Sequence, residues 1–117
     1  MSTSMFKTEK QNNVTIVILT LDSFTHEDNA ELMKSFDAFL AEGHKKIVLD
    51  LSETQYVSSL ILASFVYIQK KVQAAGGTLL FCSIPERVQE ILSSTNLDKV
   101  FDIAADRQAA VDKLGKK

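Results

Sequence analysis

The chain has 117 residues, 45% hydrophobic and 24% charged, with a formal net charge of -2. That length and balance predict a single domain over residues 1–117 with one core, and the slightly acidic charge gives no reason to expect nucleic acid or an anionic membrane as partner. The lone cysteine, Cys82, excludes an intramolecular disulfide and a cysteine-cluster metal site.

The start, MSTSMFKTEK, lacks the apolar core of a signal peptide, and no apolar run reaches membrane-spanning length. A cytoplasmic protein without membrane insertion is expected. Met5 to Lys10 reads as a short edge strand. Gln11-Asn12-Asn13 follows, and asparagine tolerates the positive φ of tight hairpin turns. Val14 to Thr20 is apolar on both faces and reads as an interior strand, antiparallel to the first. After a loop over Leu21 to Phe24, Thr25 and Asp28 form a capping-box-like helix start. Leu32, Met33, Phe36, Phe39 and Leu40 then mark one helical face, which Gly43 ends. Ile47-Val48-Leu49-Asp50-Leu51 is a buried strand. A polar link leads to Ser58-Ser59 and an apolar-periodic helix that stops at Gly76-Gly77.

Thr78 to Cys82 reads as another buried strand, with Cys82 as a small apolar core residue. Ser83 and Glu86 suggest a second capping box, with Pro85 in the first helical turn. Val88, Ile91 and Leu92 give that helix its core face, and Asn96 is its expected C-cap. Val100 to Ile103 is expected as a short last strand, and Ala105 to Leu114 as a closing helix packed through Val111 and Leu114. The order predicts an α/β fold: a mixed, mostly parallel sheet with an antiparallel N-terminal hairpin strand, packed with about four helices. Sites in such sheets gather beyond the carboxyl ends of the strands, where the loop from Ser52 to Ser59 falls.

The central helix is unusually apolar. Ile61, Phe65, Ile68, Val72 and Ala75 form a core stripe at 100° per residue. Leu60, Leu62, Val66 and Tyr67 lie off that stripe, on both flanks. Either neighbouring helices cover them, or they form an exposed surface for a partner. Measured exposure distinguishes the two.

No constellation looks catalytic, and no cofactor is implied. His26 and His44 lack metal or nucleophile spacing and read as solvated surface residues. Asp22 and Asp50 sit near strand ends without a matching acid–base partner, and there is no glycine-rich phosphate loop. Ser58 and Ser59 remain. One of them as an N-cap explains most serines at such a place. The alternative is a phosphorylation switch. A helix N-terminus favours negative charge, while the same phosphate opposes burial in an apolar interface.

The stretch from Lys46 to Ile103 resembles the STAS domain of bacterial anti-sigma factor antagonists. The features that carry the resemblance are Asp50-Leu51-Ser52, the serine pair opening the central helix, Gly76-Gly77, the strand holding Cys82, and the Leu97 to Ile103 tail. Leu21-Asp22 and the helix after Thr25 fit the family's first half. The resemblance implies the STAS fold and binding to an anti-sigma factor that is often a serine kinase. It also implies phosphorylation at the start of the central helix and resetting by a phosphatase. The family pattern runs roughly Asp-Ser-Ser/Thr-Gly-Leu. Matched back from Gly76-Gly77 without gaps, Ser58 takes the Asp position, Ser59 the phosphorylated one, Leu60 the next small polar one and Ile61 the Gly. The Asp and the Gly are thus absent here, and both Ser59 and Ser58 stand as phosphorylation candidates. The expected partner-binding residues are Asp22, Ser58, Ser59, Leu60, Leu62 and Tyr67. The competing roles are a non-enzymatic STAS subunit of a transport ATPase and a receiver domain phosphorylated at Asp50. The initial hairpin and the missing acidic pair after the first strong strand speak against the receiver. Self-association is left open.

Overall fold

A computed structural model describes residues 6–20, 25–54 and 57–115. Its elements, in chain order, are β1 (Phe6–Gln11), β2 (Val14–Leu19), α1 (His26–Ala41), β3 (Lys46–Asp50), α2 (Ser59–Ala74), β4 (Thr78–Cys82), α3 (Glu86–Ser94), a 3-10 turn (Leu97–Lys99), β5 (Ile103–Ala104) and α4 (Arg107–Gly115). The five strands lie in the order β1-β2-β3-β4-β5. β1 and β2 pair antiparallel from Phe6↔Leu19 to Gln11↔Val14. The later neighbours pair parallel, with Val17 beside Leu49, Leu49 beside Phe81 and Cys82 beside Ala104. The expected mixed sheet with its antiparallel hairpin is the fold observed.

Strand periodicity splits the core in two. Val17, Leu19, Ile47, Leu49, Leu79 and Phe81 point to one face, under α1, α2 and α3. Val14, Ile16, Ile18, Val48, Leu80 and Cys82 point to the other, where Ala110, Val111 and Leu114 of α4 cover them. Both faces are buried, which is why these strands read as continuous apolar runs. α2 is anchored by Ile61, Phe65, Ile68 and Val72, each at most 1% exposed. Such burial contributes about 1.5–3 kcal/mol per side chain. Phe65, Phe81 and Phe101 cluster behind it, with the Phe81 and Phe101 ring centroids 4.5 Å apart.

The helix ends follow their sequence signals in most places. Thr25 caps α1 in a full capping box with Asp28. Gly76 has φ +82 just past the end of α2. Its N–H reaches the Gln73 carbonyl, and the Gly77 N–H reaches that of Val72, the double closure of a Schellman turn. Ala75, expected on the core stripe, is instead the C-cap and half-buried.

Five expected features differ in the structure. The capping box at Ser83 and Glu86 does not form. Pro85 holds ψ 150, outside the helical range, so the helix begins one residue later at Glu86 with no side-chain cap. Ser83 instead turns left-handed, φ +56, with its hydroxyl toward the Cys82 sulfur at 3.7 Å. The last strand is shorter and later than Val100 to Ile103, because Val100 and Phe101 close the 3-10 turn through their N–H groups on the Leu97 carbonyl. α4 accordingly starts at Arg107 rather than Ala105. Asn96 is not the C-cap of α3, which is Thr95; it follows with φ +63, the left-handed residue after the cap. His44 is not a solvated histidine either. Its ring is 19% exposed, Nδ1 lies 2.6 Å from Thr15 Oγ1, and Phe39 packs 5.9 Å away.

Candidate docking and modification site

The site is built where β3 hands over to α2. Leu51 donates its N–H to the Cys82 carbonyl at 3.0 Å, which carries the chain past the end of β4. Thr54 is fully buried, and its hydroxyl donates to the Leu19 carbonyl at 2.7 Å. Thr20 donates to Glu53 at 2.8 Å, and the Ser52 N–H to Asp50 Oδ1 at 2.8 Å. The first half of the loop is thereby fastened to the ends of β2, β3 and β4. The loop lies beyond the carboxyl ends of the strands, as sites in such sheets do. Val57 then packs against the core and delivers the chain to Ser58.

Ser58 and Ser59 have different jobs. Ser58 is the N-cap: its backbone is extended, φ -131 and ψ 170, and its Oγ accepts the Ile61 N–H at 3.3 Å. Its carbonyl accepts the Leu62 N–H at 3.0 Å. Ser59 is the first helical residue, its side chain exposed. The first turn of α2 has no acidic residue, so the positive end of the helix dipole is not neutralised from within the helix.

The flanks of α2 diverge from Ser59. Leu60 and Tyr67 lie toward α1, where they line a groove of about 320 Å³ with Asn29, Met33, Ala63 and Ser64. The Ser64 hydroxyl bridges the two helices, meeting Asn29 Oδ1 and donating to the Leu60 carbonyl at 2.8 Å. Leu62 and Val66 lie on the opposite flank by helical spacing. Leu60, Leu62 and Val66 are half-buried against the core, whereas Tyr67 is 54% exposed. The neighbouring helices therefore cover this patch only in part. Lys71 steadies Tyr67 from one turn below, with Nζ 5.2 Å from the ring centroid. A hydrogen bond to Asp37 holds the Lys71 ammonium above the ordinary lysine range. Of the sequence-predicted partner residues, Ser58, Ser59, Leu60 and Leu62 lie at the start of α2, with Leu62 on the flank opposite Leu60; Tyr67 stands about two turns further along, and Asp22 lies outside the described residues.

One cluster was missed by sequence reasoning. Asp50 is 2% exposed at the end of β3, and Arg107 of α4 grips its Oδ2 through Nε and Nη2, both at 3.0 Å. The Arg107 Nη1 reaches Glu9 of β1 at 3.0 Å. Two anomalies carried the signal: a carboxylate closing an apolar strand, and a cation in the first turn of a helix, where the dipole disfavours it. The cluster ties α4 to the sheet on the face away from α2. Cys82 lies on that face too, and desolvation pushes its thiol up to about 11, so it is no ready nucleophile. Among the described residues, no group of three or more His, Cys, Asp and Glu side chains is arranged to hold a metal ion.

The fold and this helix start define an α/β module that presents a partly apolar, serine-bearing surface. Comparison with known proteins makes that class specific. The family model for the STAS domain matches residues 5–110, and the chain belongs to that family. A Thermotoga neapolitana protein, provisionally named an anti-sigma factor antagonist, is 40% identical over 90 residues, 75% of this chain and 80% of its own length. A Thermotoga maritima protein with the same provisional name is 35% identical over 104 residues, 87% of this chain and 92% of its own. A crystal structure of an antagonist so named from Thermotoga maritima superposes with a TM-score of 0.79 at 32% identity, over 94% of each chain.

Proposed function

We propose that this chain is a non-enzymatic, cytoplasmic anti-sigma factor antagonist that docks through the N-terminal end of α2 and is switched by phosphorylation of Ser59. The observation that carries the reading is the division of labour between the serines. Ser58 Oγ accepts the Ile61 N–H, while Ser59 is exposed, with the half-buried Leu60 and Leu62 in the same turn and the exposed Tyr67 about two turns on. The names of the relatives support the antagonist role. The partner is an anti-sigma factor with serine kinase activity, and a phosphatase resets the cycle. A phosphate at Ser59 carries about -1.5 to -2 charges; it suits a helix N-terminus and opposes burial against an apolar partner surface.

The test is affinity capture from native lysate with tagged wild type, Ser59→Ala and Ser59→Glu, read by mass spectrometry together with the bait's phosphopeptides. An ATP-binding serine kinase held by wild type and Ser59→Ala, lost from Ser59→Glu, and leaving phosphate on Ser59 is the expected outcome. The same partner held equally by all three, or phosphate on Ser58 instead, overturns the switch. A transport ATPase in place of the kinase overturns the antagonist reading itself.

A further inference from the structure

β1 is an edge strand. It pairs with β2 on one side, and among the described residues no strand pairs with its other side. Its register with β2 runs unbroken from Phe6 to Gln11, without a bulge, and it contains no proline. A regular edge of this kind is a template for another strand unless its side chains forbid pairing. Here the deciding side chains are Lys7, Glu9 and Lys10, all exposed.

We propose that β1 is a self-association edge, pairing antiparallel with β1 of a second copy about a two-fold axis at Thr8. Charge register selects this axis. A two-fold axis perpendicular to the sheet sends each residue to the same face in both copies, so the axis must pass through a residue position. With the axis at Lys7 or Lys10, two lysines meet. With the axis at Glu9, two glutamates meet. With the axis at Thr8, Lys7 of each copy lies opposite Glu9 of the other, and Thr8 lies opposite Thr8. Opposite charges and paired threonines facing each other are favourable cross-strand pairs, while like charges directly opposite are unfavourable. Phe6 then meets Lys10 of the second copy, whose aliphatic stem and ammonium both suit an aromatic neighbour.

The β1 face agrees. Phe6 packs toward α1, so the alternation sends Lys7 and Glu9 to the α4 side. There Arg107 already orients the Glu9 carboxylate at 3.0 Å. An arriving Lys7 extends an ordered chain of charge from Asp50 through Arg107 and Glu9. The edge lies two strands from β3, so pairing through it leaves the Ser59 end of α2 accessible on both copies.

The test is sedimentation velocity over a concentration series at low salt. Wild type, Lys7→Glu and Glu9→Lys are compared, each first shown to be folded by circular dichroism. Wild type is expected to shift toward twice the chain mass as concentration rises, and to shift back on raising salt. Each single variant turns two attractive pairs into two repulsive ones, and is expected to self-associate about tenfold or more weakly. An equimolar mixture of the two variants restores both attractive pairs in a mixed dimer and is expected to associate like wild type. A wild type monomeric across the series, single variants that associate as wild type does, or a mixture that stays monomeric overturns the proposal.

Discussion

Removing the Ser58 hydroxyl should lower stability, whereas removing the Ser59 hydroxyl should not. In Ser58→Ala, the Ile61 N–H loses its acceptor at 3.3 Å at the head of the helix that carries Ile61, Phe65, Ile68 and Val72 into the core. Loss of such a cap costs about 0.5–2 kcal/mol, and the length of the bond favours about 1 kcal/mol. A 117-residue chain has an unfolding entropy of about 0.25 kcal/mol/K near its midpoint, so Tm should fall by about 4 °C. Ser59→Ala removes no intramolecular bond found among the described residues and places a better helix former in the first turn, so stability should stay level or rise by a few tenths of a kcal/mol. Urea unfolding of the three proteins at one concentration, with m-values compared, separates the effects. Equal losses in both variants, or a loss confined to Ser59→Ala, would show that the cap has been assigned to the wrong serine.

Arg107→Leu should cost about 2–3 kcal/mol, because it leaves the Asp50 carboxylate, 2% exposed, with the Ser52 N–H as its one hydrogen-bond partner among the described residues; a urea midpoint within error of wild type refutes the cluster's role. Gly77→Ala should destabilise by more than about 1 kcal/mol, since its Cβ would stand 2.7 Å from the Lys45 carbonyl oxygen; a urea midpoint within error of wild type refutes that close approach. Cys82 predicts a loss of stability between pH 9 and 11: the unfolded thiol ionises at about 9, the folded one only at about 11, so the folded state binds more protons in that window and stability falls as pH rises. The loss approaches about 2 kcal/mol, and Cys82→Ala should flatten that part of the pH profile relative to wild type.

The sheet was legible because both of its faces are buried: Val14 to Leu19, Lys46 to Asp50 and Thr78 to Cys82 are apolar runs of strand length between breakers. The helix starts were legible where a side chain makes the cap, as at Thr25 and Ser58, and illegible at α3, where backbone geometry around Pro85 decides the start without a side-chain bond. Ser83 satisfied the sequence pattern of a cap, but a pattern of residue types does not carry φ, and the left-handed turn at Ser83 puts its hydroxyl elsewhere. The pairing of Asp50 with Arg107 spans 57 positions and depends on how α4 crosses the sheet, which no local periodicity encodes. His44 was misread for the same reason: its hydroxyl partner, Thr15, is 29 positions away on another element. For the candidate site, the sequence located the serines and the flanking apolar residues, and the structure then separated a cap from an exposed hydroxyl.

That separation bears on how one modification can act on binding without unfolding the protein. A phosphate on Ser58 would alter the very group that accepts the Ile61 N–H, and so would act on the cap itself. A phosphate on Ser59 displaces no such bond and meets a helix end with no acidic residue in its first turn, where negative charge is favoured by about 0.3–1 kcal/mol. Its cost appears only when a partner covers the half-buried Leu60 and Leu62 and the exposed Tyr67, because the dianion must then be desolvated. The folded state and the complex therefore respond with opposite signs to the same group. The proposed switch requires this asymmetry. It makes Ser59→Glu, assayed side by side for stability and for partner binding, the sharpest discriminator: stability held with binding lost supports the assignment, and the two falling together refutes it.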